Sequence, residues 1–353
     1  SSDVCSSDLI GYIAGCYNSG NLFLIHYENF DKIIIKNGGE IIMTKVYFNH
    51  DGGVDDLISL FLLLQMEDVE LIGVSTIGAD CYLEPSLSAS VKIINRFSNQ
   101  SIQVAPSYER GKNPFPKEWR MHAFFMDALP ILNESQTPKR ANESNYEAYE
   151  DIIQKVNAST EKVTLLFTGP LTDLAKAMCH DQSFLSNVEK LVWMGGTFLD
   201  KGNVEEPEHD GTAEWNAFWD PEAVKTVFDS NLKIDMVALE STNQVPLTLD
   251  VRQKWADERE FVGIDFLGVS YAAVPPLTHF FTNSTYFLWD VLTTAYVGMP
   301  KLVKSVKMNV NVISHGPSQG KTYKDDNGRK VNVVNYVEHN AFFDYISYLA
   351  KKA

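Results

Sequence analysis

Cysteine is scarce in this sequence, and none of it is arranged as a metal or disulfide motif. Only four of the 353 residues are cysteine, and no two of them form a CxxC pair or a zinc-finger spacing. Nothing therefore resembles the disulfide framework of a small secreted domain or a structural zinc site. We expect reduced thiols and a cytoplasmic location.

Basic residues and long apolar runs are also lacking. The chain has 30 Lys and Arg against 46 Asp and Glu, a formal net charge of −16. That balance argues against a nucleic-acid or anionic-membrane surface, since both need a basic face. No apolar run reaches the roughly 20 residues of a membrane-spanning helix. The composition, 44% hydrophobic, fits a protein with a sizeable core that handles neutral small molecules or cations.

The first 42 residues lack both a signal-peptide layout and a sustained helical period. The stretch "VCSSDL" near the start resembles a translated sequencing adapter. Met43 then opens "MTKVYFNHDGG", in which a strand pattern follows at once. We predict that residues 1–42 are a non-native or disordered leader and that residues 43–353 form one domain.

Short β-rich runs alternate with amphipathic helical patterns from Met43 onward. The predicted strands cover residues 45–50, 69–78, 102–106, 162–169, 190–196, 233–240, 305–313 and 330–337. The predicted helices cover residues 54–65, 85–97, 170–179 and 220–229, parts of 270–297, and the end of the chain from 339. This alternation predicts an α/β fold with a mostly parallel central sheet and helices on both faces. The connection 107–145 is too long for an ordinary loop, which predicts a functional or mobile segment.

Polar and glycine residues follow most of the predicted strands, where open parallel sheets bind their ligands. The first strand ends in "NHDGGVDD", with Asp51, Asp55 and Asp56 around a Gly-Gly turn. Such carboxylates repel one another when desolvated, so they favour a site for a hard cation such as Ca²⁺ or Mg²⁺. The alternative is that Asp55 and Asp56 only cap the helix that follows.

The motif D-G-G-V-D-D resembles the signature of nucleoside hydrolases. Four further segments agree with that family in the same order: "TGPLTDLA", "MGGTF", "GNVEEPEHDGTAEWNAFWDP" and "WDVLTTAYV". The segments "NPFPKEWR" and "DGTAEWN" resemble the purine-preferring branch, which acts on inosine, adenosine and guanosine. The resemblance covers nearly all of residues 43–353 and implies the Rossmann-like nucleoside hydrolase fold.

The resemblance also implies roles for individual residues. The implied ligands of a Ca²⁺ ion are Asp51, Asp56, the Thr168 carbonyl and Asp290. The implied substrate-binding residues are Asp55, Asp80, Met194, Asn203, Glu214, Asn216, His279 and Tyr286. Asn49 stands where the family often has another aspartate and is not an expected ligand.

The implied reaction is hydrolysis of the N-glycosidic bond of a purine ribonucleoside. Asp51 would take the proton of a water activated by Ca²⁺. Trp119 and Trp289 would stack on the two faces of the purine and stabilise its protonated form as it leaves. Trp289 stands where the pyrimidine-accepting branch has a histidine. The alternative for Trp119 is an ordinary core tryptophan.

Other functions stay open at this point. One is a broad nucleoside hydrolase that also accepts uridine, and another is a nucleoside-binding protein without activity. A phosphatase with a nucleophilic aspartate fits poorly, because the spacing of the aspartates is wrong. We expect no nucleic-acid or membrane partner, and we expect a homo-oligomer, with a dimer favoured by the resemblance.

Overall fold

The computed structural model describes residues 43–272, 274 and 285–353. The predicted leader 1–42 and the predicted substrate residue His279 lie outside the described residues. Within the described part, no helix is both long and apolar enough to cross a bilayer.

One mixed sheet of ten strands runs through the described part of the chain. Its strands are Thr44–His50 (β1), Val69–Ile77 (β2), Gln103–Ser107 (β3), Asn142–Glu143 (β4), Val163–Phe167 (β5), Val188–Met194 (β6), Ile234–Val237 (β7), Val303–Val312 (β8), Thr322–Lys324 (β9) and Arg329–Val337 (β10). Their order is β4-β3-β2-β1-β5-β6-β7-β10-β8-β9. Every neighbouring pair from β4 to β10 is parallel, and the pairs β10–β8 and β8–β9 are antiparallel.

Helices connect these strands and cover both faces of the sheet. They are Val54–Leu63 (α1), Leu83–Phe97 (α2), His122–Asp127 (α3), Ala148–Ala158 (α4), Thr172–His180 (α5), Trp215–Trp219 (α6), Pro221–Phe228 (α7), Leu239–Thr242 (α8), Leu249–Asp257 (α9), Val262–Ala272 (α10), Trp289–Gly298 (α11) and His339–Ala350 (α12). Short 3₁₀ turns occupy Pro130–Leu132, Ser183–Asn187 and Pro300–Leu302.

The strand order reverses at β1, which lies between β2 and β5. The chain leaves β1 toward β2 and β3 and later returns to place β5 on the other side. A reversal of this kind opens a crevice at the carboxyl ends of the two central strands, where open α/β sheets bind ligands. Asp51 directly follows β1, and Thr168 directly follows β5. The topology therefore puts two of the predicted metal ligands at the crevice.

Two apolar layers hold the helices on the sheet. One layer joins α1, α2, α10, α11 and α12 to one face, with Phe61, Phe266 and Phe342 fully buried in it. The other layer joins α4, α5 and α7 to the opposite face around Trp193 and Phe184. A sheet covered on both faces explains why its central strands read as continuous apolar runs. The predicted α/β class and the predicted mostly parallel sheet are confirmed.

Three predicted elements differ from the structure. The strand predicted over 233–240 ends at Val237, and residues Leu239–Thr242 form a helical turn instead. The connection 107–145 contains α3, a 3₁₀ turn and β4, so it is not a long structureless loop. The helical stretch predicted within 270–297 comprises the end of α10 and α11 in the described residues. Periodicity located these segments but not their ends, because capping and tertiary contacts determine the ends.

Candidate active site

A tight turn joins β1 to α1 and positions the first aspartates. Gly52 has φ +85°, and a Cβ atom there would lie 1.9 Å from the Ser86 Oγ, so only glycine fits. At the end of β5, a Cβ on Gly169 would come within 2.9 Å of the Asp51 side chain. The two glycines therefore let Asp51 lie directly against the end of β5.

Asp51, Asp56 and Asp290 converge at this point although α11 begins more than 230 residues after the turn. All three are buried. Burial raises the pKa of Asp290 well above its usual value, and Asp56, Asp55, Asp51 and Asp80 raise it further. The pKa of Asp51 is likewise raised by burial and then by Asp56 and Asp80. The aspartates are thus close enough to repel one another strongly when all are ionised.

Thr168 links the end of β5 to the same group. Its hydroxyl donates a hydrogen bond to Asp56 Oδ1, and Asp56 Oδ2 accepts from the Gly53 N–H at 2.8 Å. Asp56 therefore also caps α1, as the alternative reading of the sequence proposed. The Thr168 carbonyl accepts a hydrogen bond from Asn216 Nδ2 at 2.9 Å, which orients it.

This donor set fits a hard divalent cation. Three buried carboxylates and a backbone carbonyl are the oxygen ligands that Ca²⁺ prefers, and the described residues offer no lysine or arginine partner to Asp290 or Asp51. Without a cation, the desolvated carboxylates would have to stay partly protonated. Asp51, Asp56, Thr168 and Asp290 are the residues that would hold the ion.

Asp55 points to a different partner from its neighbours. It accepts hydrogen bonds from the Tyr271 hydroxyl and from the backbone N–H groups of Asp290 (2.6 Å) and Val291 (3.3 Å). Burial raises the pKa of Asp55 to about 7, and these three donors oppose the rise. The protein itself thus satisfies both carboxylate oxygens. Its predicted contact with a ribose hydroxyl stays a prediction.

Glu214 and Asn216 form a second polar group beside the first. Glu214 caps α6 and accepts from the backbone N–H groups of Gly196 (2.7 Å), Asn216 (2.8 Å) and Ala217 (3.2 Å). Burial raises its pKa to about 7 despite these donors. Asn216 Nδ2 bonds the carbonyls of Thr168 and Met194, at 2.9 and 3.1 Å. Asn216 therefore joins the ends of β5 and β6.

Asn203 lies next to this group in a loop before α6. Its Oδ1 accepts from the Trp215 backbone N–H, and its carbonyl accepts from Trp215 Nε1, both at 3.1 Å. These bonds attach Asn203 to α6, which begins directly after Glu214. The structure thus brings the predicted ribose residues Asn203, Glu214 and Asn216 into one connected unit, while their contact with a sugar stays a prediction.

Asp80 lies in the segment that follows β2 and contacts Asp51. Its backbone N–H donates to Asp51 Oδ2 at 3.2 Å. Burial raises the pKa of Asp80 to about 7, Asp56 adds to the rise, and the nearby Arg120 opposes it. Arg120 lies over the ring of Tyr82 and donates to the Gly78 carbonyl at 2.8 Å. The segment around residue 120 therefore packs against the strand end that carries Asp80.

Trp119 stands in this same segment and is half-buried. Its ring meets Trp215 edge-on at 5.6 Å between centroids and lies 6.3 Å from Phe115. Phe115 and Trp215 stack on each other at 4.9 Å. Trp119 is thus part of an aromatic cluster with Phe115 and Trp215, in the segment that packs near Asp80. Its predicted stacking on a base stays a prediction.

Trp289 is the first residue of α11 and directly precedes Asp290. Its ring meets Tyr286 edge-on at 4.7 Å. Burial raises the pKa of Tyr286 well above its usual value, and Asp55, Asp80, Asp290 and Asp56 add to the rise. Tyr286 therefore lies near the acidic group, and its predicted contact with the substrate stays a prediction.

Several residues of the site carry no signal in the sequence. Tyr271 holds Asp55 from 216 positions away, Arg120 adds a cation beside Asp80, and His50 is fully buried with Nε2 at 3.1 Å from Ser90 Oγ.

Asn49 donates to Ser75 (2.8 Å) and to Asp173 (2.9 Å). Asn49 was expected not to be a metal ligand, and the structure gives it these protein partners instead. Only the fold reveals these contacts, because they join distant segments.

The fold and the site together define an α/β enzyme with an acidic, cation-accepting crevice at the switch point of its sheet. Within that class, the chain belongs to the family described as inosine-uridine preferring nucleoside hydrolase, whose family model matches residues 46–344. It is therefore a hydrolase of the N-glycosidic bond of nucleosides, a family that generally binds a metal ion.

Solved structures of similar proteins support this assignment. An inosine-uridine preferring nucleoside hydrolase from Bacillus anthracis is 60% identical, with a TM-score of 0.84, and the match covers 88% of this chain and all of that one. A purine-preferring ribonucleoside hydrolase from Gardnerella vaginalis is 24% identical with a TM-score of 0.72, and the match covers 88% of this chain and all of that one, so the two share the fold.

Two relatives found by sequence are named for their action on uridine or pyrimidine nucleosides. A probable uridine nucleosidase 2 from Oryza sativa is 28% identical over 85% of this chain and 88% of its own length. A pyrimidine-specific ribonucleoside hydrolase RihB from Escherichia coli O1:K1 is 25% identical over 80% of this chain and 88% of its own. The family is thus confirmed, and the purine-specific branch is not.

Proposed function

We propose that the protein is a Ca²⁺-dependent nucleosidase that prefers purine ribonucleosides, the reading that the residues around the acidic group support best. The metal dependence rests on the proximity of the buried carboxylates of Asp51, Asp56 and Asp290, together with the hydrogen bond from the Thr168 hydroxyl to Asp56. When bound, the ion would supply Lewis-acid activation of a water molecule.

Asp51 is the proposed proton acceptor. It is buried against the end of β5, and the Asp80 N–H holds its Oδ2 at 3.2 Å. A carboxylate fixed in this way can take the proton of the attacking water without a large movement. The water would then add to the anomeric carbon as the bond to the base breaks, through a transition state with oxocarbenium character.

The ribose would lie between the acidic group and the unit made by Asn203, Glu214 and Asn216. Carboxylate and amide groups suit sugar hydroxyls, which both donate and accept hydrogen bonds. Asp55 is the proposed partner of a further ribose hydroxyl. Met194, at the end of β6, is proposed to line the bottom of the ribose site. Because the backbone N–H groups already fix Glu214, the sugar would meet a rigid acceptor.

The base would lie between the aromatic cluster of Trp119 and the pair Tyr286–Trp289. Asp80 acts electrostatically on Tyr286 and lies near Arg120, the residue after Trp119, and it is the proposed hydrogen-bond partner of the base. Stacking on an aromatic face is worth about 0.5–1.5 kcal/mol beyond burial, and it favours the electron-poor purine that forms as the bond breaks. The proposed setting is nucleoside salvage in the cytoplasm, by a homodimer.

A broad inosine–uridine nucleosidase is the second candidate. It is favoured by the family description and by the 60% identical relative, whose name states that preference. The two candidates share the metal site and the ribose site. They differ only in how much the base pocket contributes to kcat/KM for a purine nucleoside compared with uridine.

Release of ribose from inosine, adenosine, guanosine and uridine, with and without a strong chelator, tests both proposals. We expect turnover of all purine ribonucleosides, a lower kcat/KM for uridine, and loss of all activity after verified metal removal. Equal kcat/KM for inosine and uridine would favour the second candidate. Full activity of the metal-free protein would contradict the role of calcium.

A variant pair tests the base pocket. Trp119→Ala should lower kcat/KM for inosine by about tenfold, the equivalent of roughly 1.4 kcal/mol, and should lower it less for uridine. Tyr336→Ala is a suitable control, because Tyr336 is an exposed aromatic residue on β10 whose hydroxyl bonds Glu338 at 3.2 Å. An equal loss for both substrates in the Trp119 variant would show that this ring does not select the base.

A further inference from the structure

We propose that Asp80, Cys81 and His122 form a second metal site, selective for a borderline-soft divalent ion such as Zn²⁺, whose occupation inhibits the enzyme. One carboxylate oxygen, the Cys81 sulfur and one imidazole nitrogen all lie within 4.8 Å of one another. Cys81 is fully buried, His122 is 4% exposed and Asp80 is half-buried.

Two segments of the chain bring these ligands together and are held to each other by hydrogen bonds. The first follows β2 and contains Asp80 and Cys81, and the second leads into α3 and contains His122. Arg120 Nη2 donates to the Gly78 carbonyl, and the Tyr82 N–H bonds the Arg120 carbonyl at 3.4 Å. The three ligands are therefore held in place before any ion arrives.

Hydrogen bonds hold both the side chain and the backbone of Cys81. The backbone N–H of Ala123 donates a hydrogen bond to the sulfur, and the Cys81 N–H donates to the Asp51 carbonyl at 3.0 Å. Burial and the nearby Asp80 raise the pKa of the Cys81 thiol well above its usual value, and the Ala123 N–H opposes that rise. The thiolate is the form that binds a metal, so the ion itself has to displace the thiol proton. The thiol proton would leave to solvent as the ion binds.

The mixture of sulfur, nitrogen and oxygen determines which ion fits. Zn²⁺ takes such ligands in tetrahedral sites, with about 2.3 Å to sulfur and about 2.0–2.1 Å to nitrogen and oxygen. Ligand atoms in such a site are roughly 3.5 Å apart, so side-chain movements of about 1 Å would close the site. Ca²⁺ takes oxygen ligands and has no affinity for a thiolate. The two sites are therefore chemically distinct.

The local charge also leaves room for a second cation. Asp51, Asp56, Asp80 and Asp290 act on one another electrostatically, and one divalent ion would balance only half of their charge. Arg120 is the cation that opposes the pKa rise of Asp80. A Zn²⁺ ion on Asp80 would relieve part of the remaining repulsion.

Occupation of this site would inhibit because of the position of Asp80. That residue contacts Asp51 through its backbone and is the proposed partner of the base. Coordination would withdraw its carboxylate from the base and place a positive charge where the protonated purine has to form. This consequence rests on the proposed function, whereas metal binding at the site does not.

Cobalt spectroscopy tests the binding without any activity measurement. In a variant with serine at positions 5, 16 and 179, Cys81 is the only cysteine of the chain. With Ca²⁺ in excess, we expect one equivalent of Co²⁺ to give a near-ultraviolet thiolate-to-cobalt band and visible bands of tetrahedral type. Further substitution by Cys81→Ser should abolish the thiolate band, and His122→Gln should weaken Co²⁺ binding by at least about tenfold.

Inhibition of ribose release tests the consequence. At saturating Ca²⁺, we expect stoichiometric Zn²⁺ to reduce the turnover of inosine about tenfold or more, and we expect Cys81→Ser to need at least about tenfold more Zn²⁺ for the same loss. Cys179→Ser is the matched control, because Cys179 is an exposed free cysteine.

The outcomes separate the two proposals. A cobalt spectrum without a thiolate band, or equal inhibition of the Cys81 and Cys179 variants, would overturn the second site. A normal thiolate band in a protein that releases no ribose would support the site and contradict the proposed function. If Cys81→Ser does not fold, His122→Gln provides the same comparison.

Discussion

At the scale of single residues, burial of acidic groups is the feature that most affects the behaviour of this protein. Asp173 shows the effect away from the predicted metal ligands. It accepts hydrogen bonds from Ser107 at 2.6 Å and from Asn49 at 2.9 Å. Burial nevertheless raises its pKa to about 6, because these donors and the nearby Lys176 compensate only in part. Its ionisation therefore opposes folding.

The first prediction concerns the pH dependence of stability. The folded-state pKa of Asp173 lies above its ordinary value, so its contribution is fully present below that ordinary value and is lost as the pH rises through about 6. Between pH of about 4.5 and about 7.5 this loss is on the order of 2 kcal/mol. Asp173→Asn should reduce the difference in unfolding free energy between these pH values by about that amount.

Urea unfolding at the two pH values, with Ca²⁺ constant, measures this effect. Asp326→Asn is the control, since Asp326 is exposed in a turn and should leave the pH dependence unchanged. The same pH dependence in the Asp173 variant and the wild type would contradict the prediction.

At the scale of secondary-structure elements, Asp55 connects three helices. It lies in the first turn of α1, accepts from the Tyr271 hydroxyl near the end of α10, and accepts from the first N–H groups of α11. A carboxylate is favoured at a helix N-terminus, where unpaired N–H groups and the helix dipole meet it. This contact fixes the start of α11 and hence the position of Asp290.

The second prediction tests this connection through Tyr271→Phe. Removal of the hydroxyl leaves a buried carboxylate oxygen without one of its donors, which should cost about 1–3 kcal/mol of unfolding free energy. Because the start of α11 then loses part of its support, Ca²⁺ affinity should also fall. Denaturant unfolding and calcium titration measure both quantities.

Tyr336→Phe is the matched control for this experiment. Tyr336 is exposed, and its hydroxyl bonds only Glu338 at 3.2 Å. Its loss should change stability by less than about 0.5 kcal/mol. If the Tyr271 variant kept both wild-type stability and wild-type calcium affinity, Asp55 would not support α11 as described.

At the scale of the whole molecule, the predicted ion joins parts of the fold that are far apart in sequence. Asp51 directly follows β1, Asp56 lies in the first turn of α1, Thr168 directly follows β5, and Asp290 lies in the first turn of α11. In the absence of an ion, these buried carboxylates destabilise the folded chain by mutual repulsion. The same residues should therefore lower the unfolding free energy of the metal-free protein and raise that of the calcium-bound protein.

The third prediction follows because the effect of these carboxylates on stability changes sign when calcium binds. Ca²⁺ at about 100 times its dissociation constant should stabilise the wild type by about 2.7 kcal/mol. Asp290→Asn should lose most of this gain, yet in chelator it should unfold at an equal or higher temperature than the wild type. Thermal unfolding with chelator and with calcium measures all four values, and Asp326→Asn should respond as the wild type does. A variant less stable than the wild type in chelator would contradict the repulsion.

The fold class and the polar residues at the strand ends follow from the local pattern of the amino-acid sequence. Apolar runs of four to eight residues alternating with amphipathic stretches are sufficient to indicate a parallel sheet covered on both faces. The Gly-Gly turn with its aspartates after β1 is local information as well, because turn geometry and charge density depend on neighbouring residues. The motifs that resemble the family are of the same local kind.

Which of these residues contact one another depends on how the elements pack in the folded chain. The sequence could not show that Tyr271 and the start of α11 share Asp55, or that Cys81 and His122 face each other, since each pair belongs to separate elements. It also could not fix the ends of β7 or the helix α3 within the long connection. Local propensity sets what an element is, whereas packing across the sheet sets where it ends and what its side chains contact.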